Sequence, residues 1–176
     1  MTGYAILGGW LEAWVGFAGR TPEMEPTSAT PRWQKEVLVS ALVDDSVERK
    51  LKLVYYPIYA TRTSPGACCI DLLLDDGRTV SGKAHSYFHA LLELRRQLEE
   101  MGIQLLCWGA KSDVWPTGME TSMGAGDVVS RRKPTGAPIS HESIFSRIAK
   151  EEVSTVSKQE AFFRGILQTM KGKGTV

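Results

Sequence analysis

This 176-residue chain lacks an excess of charge of either sign. Its 21 lysine and arginine residues are matched by 20 aspartate and glutamate residues, which leaves a formal net charge of +1. A protein that binds nucleic acid through its backbone neutralises phosphates with a surplus of basic side chains. Because this surplus is missing, we expect no nucleic acid among the partners of the chain.

Cysteine is scarce, and its spacing is neither that of a metal site nor that of a disulfide framework. The three cysteines, Cys68, Cys69 and Cys107, are odd in number and lie in apolar segments. A reduced cysteine in such a segment behaves as a small hydrophobic residue, whereas small secreted domains carry regular sets of cysteines. The sequence therefore predicts a cytoplasmic protein that needs no metal or other cofactor.

Hydrophobic runs long enough to span a membrane, about 20 apolar residues, are also missing. The most apolar segment, Tyr4 to Ala18, is shorter than this and is interrupted by Glu12. No lysine or arginine precedes it, as one would in a secretory signal. Three interpretations stay open: a packed amphipathic helix, a segment on a membrane surface, or residues that precede a natural start at Met24. We favour the first and the third equally.

The distribution of proline divides the chain. Residues 19–32 contain three prolines and several small polar residues, which is typical of a linker. We therefore predict an N-terminal extension and linker over 1–32, a single globular domain over 33–171 and a frayed tail over 172–176. A domain of this length can bury a hydrophobic core of its own.

The periodicity of apolar residues predicts an α+β fold. Strands are predicted over residues 36–43, 51–60, 68–75, 78–81, 103–107 and 128–131. Apolar residues at steps of three and four predict a long central helix over 84–101, and a weaker helical pattern covers 141–148. The expected fold is a mainly antiparallel sheet with one long central helix and a C-terminal helix packed on it.

The C-terminal helix is predicted over residues 157–171. Ser157 and Glu160 have the spacing of a capping box, in which each side chain bonds the backbone of the other residue. The apolar positions of this helix should face the core, and they are Phe162, Phe163, Ile166, Leu167 and Met170.

Residues 107–126 follow neither the helical nor the strand period, although they include several large apolar side chains. Surface loops normally avoid such side chains, so the segment either folds onto the core as a structural lid or is presented to a partner. We favour the partner, because methionine and aromatic residues are enriched at protein interfaces. The predicted contacts are Trp115, Met119 and Met123 as apolar anchors, with Lys111, Asp113 and Glu120 as a polar rim.

Candidate catalytic and metal-binding residues are few. His85, His89 and Glu93 recur at steps of four and could chelate a divalent metal, but no catalytic glutamate lies beside His85. Cys107 would need a nearby base to act as a nucleophile, and no signature places one. We therefore predict a polar helix face and a buried structural thiol, with no catalytic or metal-binding residue. The alternative is a small hydrolase or transferase that uses these histidines, Cys107 or Asp113 around the 107–126 segment.

Short motifs between residues 76 and 126 follow one another in an order that resembles a group of small bacterial proteins. They are DGRTVSG at 76–82, the helical pattern FxALxxLRxxLExxG at 88–102, LLCWGA at 105–110, DVWPTGM at 113–119 and MGAG at 123–126. The group resembles the immunity proteins of polymorphic toxin systems. The resemblance implies a cytoplasmic protein that binds a cognate toxin and occludes it. Lys111 and Thr117 depart from the arginine and serine of the group pattern.

Overall fold

The computed structural model describes residues 34–59 and 65–172. The predicted N-terminal extension, with its linker, lies outside these ranges. The described residues form seven strands and three α-helices, together with single 3₁₀ turns at Trp108–Ala110 and Lys150–Glu152. In chain order the elements are β1 (Lys35–Val43), β2 (Val47–Tyr59), β3 (Pro65–Leu73), β4 (Thr79–Ala84), α1 (Tyr87–Glu100), β5 (Ile103–Leu105), α2 (Gly118–Gly124), β6 (Val128–Arg132), β7 (Pro138–Ser143) and α3 (Val156–Gly172).

Five of the strands form one curled antiparallel sheet, in the order β4-β3-β2-β1-β5. Alternate side chains of each strand point to the same face, and one face carries the core. Leu53, Leu72 and Val80 stand opposite one another across β2, β3 and β4 and are buried. Leu38, on the other face of β1, is exposed. The strands predicted over 36–43, 51–60, 68–75 and 78–81 are confirmed as β1 to β4, and those over 103–107 and 128–131 as β5 and β6, with shifted ends.

Helix α1 closes the core side of the sheet. Ser86 caps its first turn, and its Oγ accepts a hydrogen bond from the backbone N–H of His89. The fully buried side chains of α1 are Phe88, Ala90, Leu91, Leu94 and Leu98. They belong to the same core cluster as Val129 of β6 and Ile144, so the core lies between the sheet, α1 and the second half of the chain.

The prediction of a fold organised around one long central helix is wrong. Strands dominate the described residues, at 42% against 33% for helices, and the sheet curls into a half-barrel. Helix α1 has 14 residues and is shorter than α3, which has 17. The apolar stripe of α1 correctly indicated a helix with one buried face. It carried no information about the curl of the sheet, which is what organises the core.

The structure corrects two predictions about helices: the helix over 141–148 and the capping box of the C-terminal helix. Residues 138–143, which overlap the predicted helix at 141–148, form β7 and pair with β6. The predicted capping box of Ser157 and Glu160 does not form, because α3 begins one residue earlier and Thr155 Oγ1 accepts from the N–H of Lys158.

The predicted apolar face of α3 is only partly buried. Ile166 is buried, Phe162 and Phe163 are half-buried, and Leu167 and Met170 are exposed. Helix α3 ends at Gly172, and the rest of the predicted tail lies outside the described residues. No helix within the described parts of the chain is long and apolar enough to cross a membrane.

Candidate functional site

The first half of the 107–126 segment is folded onto the core. Cys107, Ala110 and Val114 are fully buried. The carbonyl oxygens of Gly109 and Val114 each accept a hydrogen bond from the side-chain amide of Gln159, at 3.0 and 2.9 Å. This part of the segment is therefore a packed structural element that α3 holds in place.

A buried arginine completes the anchor of this segment. Arg95 of α1 is only 2% exposed, and its Nη1 donates to Gln159 Oε1 at 2.6 Å and to the carbonyl of Gly109 at 3.0 Å. Its Nη2 donates to the carbonyl of Ser154 at 2.5 Å. A buried guanidinium is stable only when its N–H donors find acceptors. The hydrogen bonds of Arg95 join α1 to the first half of the 107–126 segment and to α3. The signal for Arg95 in the sequence was its spacing, since it follows Leu91 by four residues and precedes Leu98 by three and so lies on the apolar stripe of α1.

Lys111 and Asp113, two of the predicted rim residues, are held in ion pairs. Lys111 is buried, its Nζ pairs with Glu152, and the amine lies 4.8 Å from the centre of the Trp108 ring. Asp113 accepts a hydrogen bond from Arg131 Nε at 2.6 Å. The hydrogen bond from Lys111 lowers the pKa of Glu152, so the carboxylate stays charged at neutral pH. Both pairs line one cleft of about 330 Å³.

Trp115, a predicted anchor, lies in an aromatic cluster. Its ring stacks on Phe163, with 4.3 Å between ring centres and 9° between ring planes. Phe88 and His89 meet the same ring in edge-to-face geometry, at 5.2 and 5.9 Å between centres. Such pairs stabilise packing beyond the area they bury. The cluster therefore holds Trp115 between α1 and α3.

The potential nucleophile and the potential metal ligands are occupied in other ways. Burial raises the pKa of the Cys107 thiol to about 11, so it is protonated at neutral pH and is a poor nucleophile. His89 Nδ1 lies 2.7 Å from Ser86 Oγ, and Glu93 is paired with Arg96. Within the described ranges, no three histidine, cysteine, aspartate or glutamate side chains are arranged to hold a metal ion.

The burial of His89 should make the stability of the domain depend on pH. Burial, and secondarily the charge of His85, lower the pKa of His89 from 6.5 to about 4. The unfolded chain therefore binds this proton more readily than the folded one, and the stability present above pH 6.5 is lost as the pH falls towards 4. We expect urea denaturation to show that the free energy of unfolding falls by about 1 kcal/mol as the pH is lowered from 6.5 to 5.

Replacing His89 by glutamine should flatten this pH dependence, because the titrating group is removed. Carboxylates with lowered pKa values, such as Glu120, titrate below this window. An unchanged slope in His89→Gln would show that another group is responsible.

The second half of the segment forms α2, which was predicted as a loop. Thr117 and Glu120 make a complete capping box: Thr117 Oγ1 accepts from the N–H of Glu120 at 2.9 Å, and Glu120 Oε2 accepts from the N–H of Thr117 at 2.5 Å. The T-x-x-E spacing was visible in the sequence and was the signal for this helix. None of the residues of α2 is buried.

Glu120 also fixes α2 to the β6–β7 hairpin. Its Oε1 accepts a hydrogen bond from the hydroxyl of Ser130 and lies 3.6 Å from His141 Nε2, while its Oε2 lies 3.8 Å from Arg132 Nη2. Burial alone would raise the pKa of Glu120, but the hydrogen bonds from Ser130 and Thr117 hold it below its usual value. Glu120 is therefore a charged anchor for α2 at neutral pH.

Met119 and Met123 are the most exposed of the predicted contact residues. They are four residues apart on α2, which places them on the same helix face, and they are 70% and 83% exposed. Two large apolar side chains thus lie together on a helix whose backbone is fixed by polar bonds.

No family model matches this chain, and no curated protein is similar enough to it to indicate a relationship. The six predicted partner-binding residues occupy three environments: Lys111 and Asp113 in the charged cleft, Trp115 in the aromatic cluster, and Met119, Glu120 and Met123 on α2.

Proposed function

We propose that this chain is a bacterial binding protein that neutralises a cognate protein toxin by covering part of its surface. The observation that carries the proposal is the exposure of Met119 and Met123 on α2. The resemblance of residues 76–126 to immunity proteins gives the class of partner. The contact surface in this proposal is the exposed face of α2.

The two methionines contribute little to the stability of the domain. Helix α2 buries none of its residues, and hydrophobic side chains stabilise a fold only when they leave water. Methionine is flexible and polarisable, and it is common in the cores of protein interfaces. Exposed apolar residues on a fixed helix therefore fit a partner surface better than they fit a role in folding.

The rigidity of α2 favours binding. Ordering a flexible segment on association consumes part of the interaction free energy. Here the capping box and the contacts of Glu120 with Ser130 and Arg132 order the helix before any partner arrives. In this proposal Glu120 positions α2, and Met119 and Met123 make the contact.

The state of the cysteines supports the proposed location in the cytoplasm. Cys68, Cys69 and Cys107 are all free thiols and all buried. Free thiols persist in a reducing compartment.

The test is the binding of the protein encoded beside this gene, measured with the full chain. The double substitution Met119→Ser and Met123→Ser should weaken binding by about 100-fold, because truncating anchor residues at the centre of an interface has effects of this size. Growth protection on co-expression should fall in parallel. Thermal melting should remain within about 2 °C of the wild type, because neither side chain is buried.

Leu38→Ser is the matched control. Leu38 is 69% exposed, nearly as much as Met119, but it lies on β1 rather than on α2. It should bind like the wild type. The proposal fails if the neighbouring gene product neither binds nor is neutralised, and α2 is the wrong surface if the double variant binds as tightly as the wild type.

A further inference from the structure

A charged cleft lies apart from the methionines of α2. Its volume is about 330 Å³, near the lower end of the range for pockets that hold small ligands. Residues 111–113, Arg131 of β6, residues 151–154 and Lys158 form its walls. The basic side chains that line it are Lys111, Arg131 and Lys158, and the acidic ones are Asp113, Glu151 and Glu152.

Two ion pairs use only part of the hydrogen-bonding capacity of this cleft. Lys111 pairs with Glu152, and Arg131 pairs with Asp113 through its Nε. The two terminal amino groups of Arg131 have no hydrogen-bond partner among residues 34–59 and 65–172. Lys158 forms no ion pair with any residue that the structure describes. The cleft therefore presents the edge of a guanidinium group and an ammonium group to a ligand.

This set of donors fits a carboxylate group. A guanidinium edge matches the two oxygens of a planar carboxylate, and Lys158 adds a second positive charge. The lining has no net positive charge, since three acidic side chains accompany the three basic ones. A phosphate dianion would meet all three carboxylates without a compensating excess of cations, so a singly charged group is favoured.

We infer that this cleft binds a carboxylate group, which the terminal amino groups of Arg131 hold and the ammonium group of Lys158 neutralises. The group belongs either to an acidic side chain of a protein or to a small organic acid. The inference does not depend on the function proposed for α2. Arg131 turns towards Asp113, whereas its neighbours Ser130 and Arg132 turn towards Glu120, beside α2.

Titration followed by ¹⁵N NMR tests the inference with two probes at low ionic strength. Propionate represents a small acid, and the blocked peptide acetyl-Gly-Glu-Gly-amide represents a protein side chain, because the single charge of each probe is its carboxylate. We expect saturable shifts of the Arg131 Nε–H signal and of the backbone N–H signals of the lining residues, with a dissociation constant of about 1–10 mM. The backbone signals also report binding in variants that lack Arg131. Binding of the peptide alone identifies a protein side chain as the ligand, and binding of propionate alone identifies a small acid. Binding of both shows that the carboxylate is recognised whatever carries it.

Substitutions distinguish the cleft from general surface charge. Arg131→Gln should weaken binding about tenfold, and Arg131→Lys should also weaken it because lysine lacks the two-pronged donor. Lys158 is exposed, so Lys158→Gln should fold normally and weaken binding about threefold. Lys133→Gln, an exposed lysine beyond the end of β6, is the control and should bind like the wild type.

Three results would overturn the inference. The first is the absence of a saturable shift with either probe at about 50 mM, well above the dissociation constants expected of such a site. The second is wild-type affinity in both single variants, Lys158→Gln and Arg131→Gln. If Arg131→Gln does not fold, Arg131→Lys takes its place. The third is an equal shift with sulfate at matched ionic strength, which would show that the cleft does not select a carboxylate.

Discussion

Replacing Gly82 by alanine is expected to prevent stable folding of the domain. A Cβ atom at this position would lie 2.8 Å from the backbone nitrogen of Leu94 and still closer to the carbonyl oxygen of Ala90. Both atoms belong to the backbone of α1, so no change of side-chain rotamer relieves the clash. Helix α1 would have to move away from β4, and the buried side chains of α1 would lose their packing against the sheet.

The expected loss of unfolding free energy for Gly82→Ala is at least about 3 kcal/mol, since overpacking against backbone lies at the upper end of the range for single substitutions. Urea denaturation followed by circular dichroism measures it. Gly118→Ala is the control, because a Cβ atom there meets nothing within 4 Å. Equal stability of the two variants would contradict the close approach of α1 and β4.

Replacing Arg95 by methionine should be the second most damaging change. Methionine fills much of the same volume but donates no hydrogen bond, so Gln159 Oε1 and the carbonyl of Ser154 would lose a partner in the interior. Leaving buried polar groups unsatisfied costs about 1–3 kcal/mol for each group. We therefore expect a loss of about 3–5 kcal/mol and weaker attachment of α3, detected as faster amide hydrogen exchange in that helix.

Arg96→Met is the matched control for Arg95→Met. Arg96 is the next residue on α1, its side chain is 40% exposed, and it pairs with Glu93 and Glu160 at the surface. Exposed ion pairs contribute little, so this variant should lose no more than about 1 kcal/mol. The double variant of Arg95→Met with Gln159→Leu should lose less than the sum of the single losses, because each single variant already breaks the shared bond. Equal losses in Arg95→Met and Arg96→Met would contradict the buried network.

The strands and helices that bury one face were predictable from the sequence, whereas surface elements were not. The alternation of Ile70 and Leu72 in β3 and the apolar stripe of α1 come directly from contact with the core. Helix α2 and strand β7 bury none of their residues, so neither element has an apolar period to detect. The helical pattern over 141–148 came instead from Ile144, Phe145 and Ile148. These side chains are buried, but the backbone that carries them is not helical.

The charged partners of the site could not be found from local spacing. Asp113 and Arg131 are 18 residues apart, and Lys111 and Glu152 are 41 apart. Spacing rules such as the capping box or the i,i+4 pair apply to neighbours on one element. The folded chain alone brings these residues together, so local spacing did not indicate that Lys111 and Asp113 are paired.

The anchoring of α2 separates the residues that hold this helix from the residues that it displays. Thr117 and Glu120 fix its position, whereas the exposed positions 119, 122 and 123 contribute nothing to the interior. Substitutions at these three positions can therefore accumulate without loss of the folded state. A surface of this kind can be retargeted by a few changes of side chain, while the rest of the molecule stays the same.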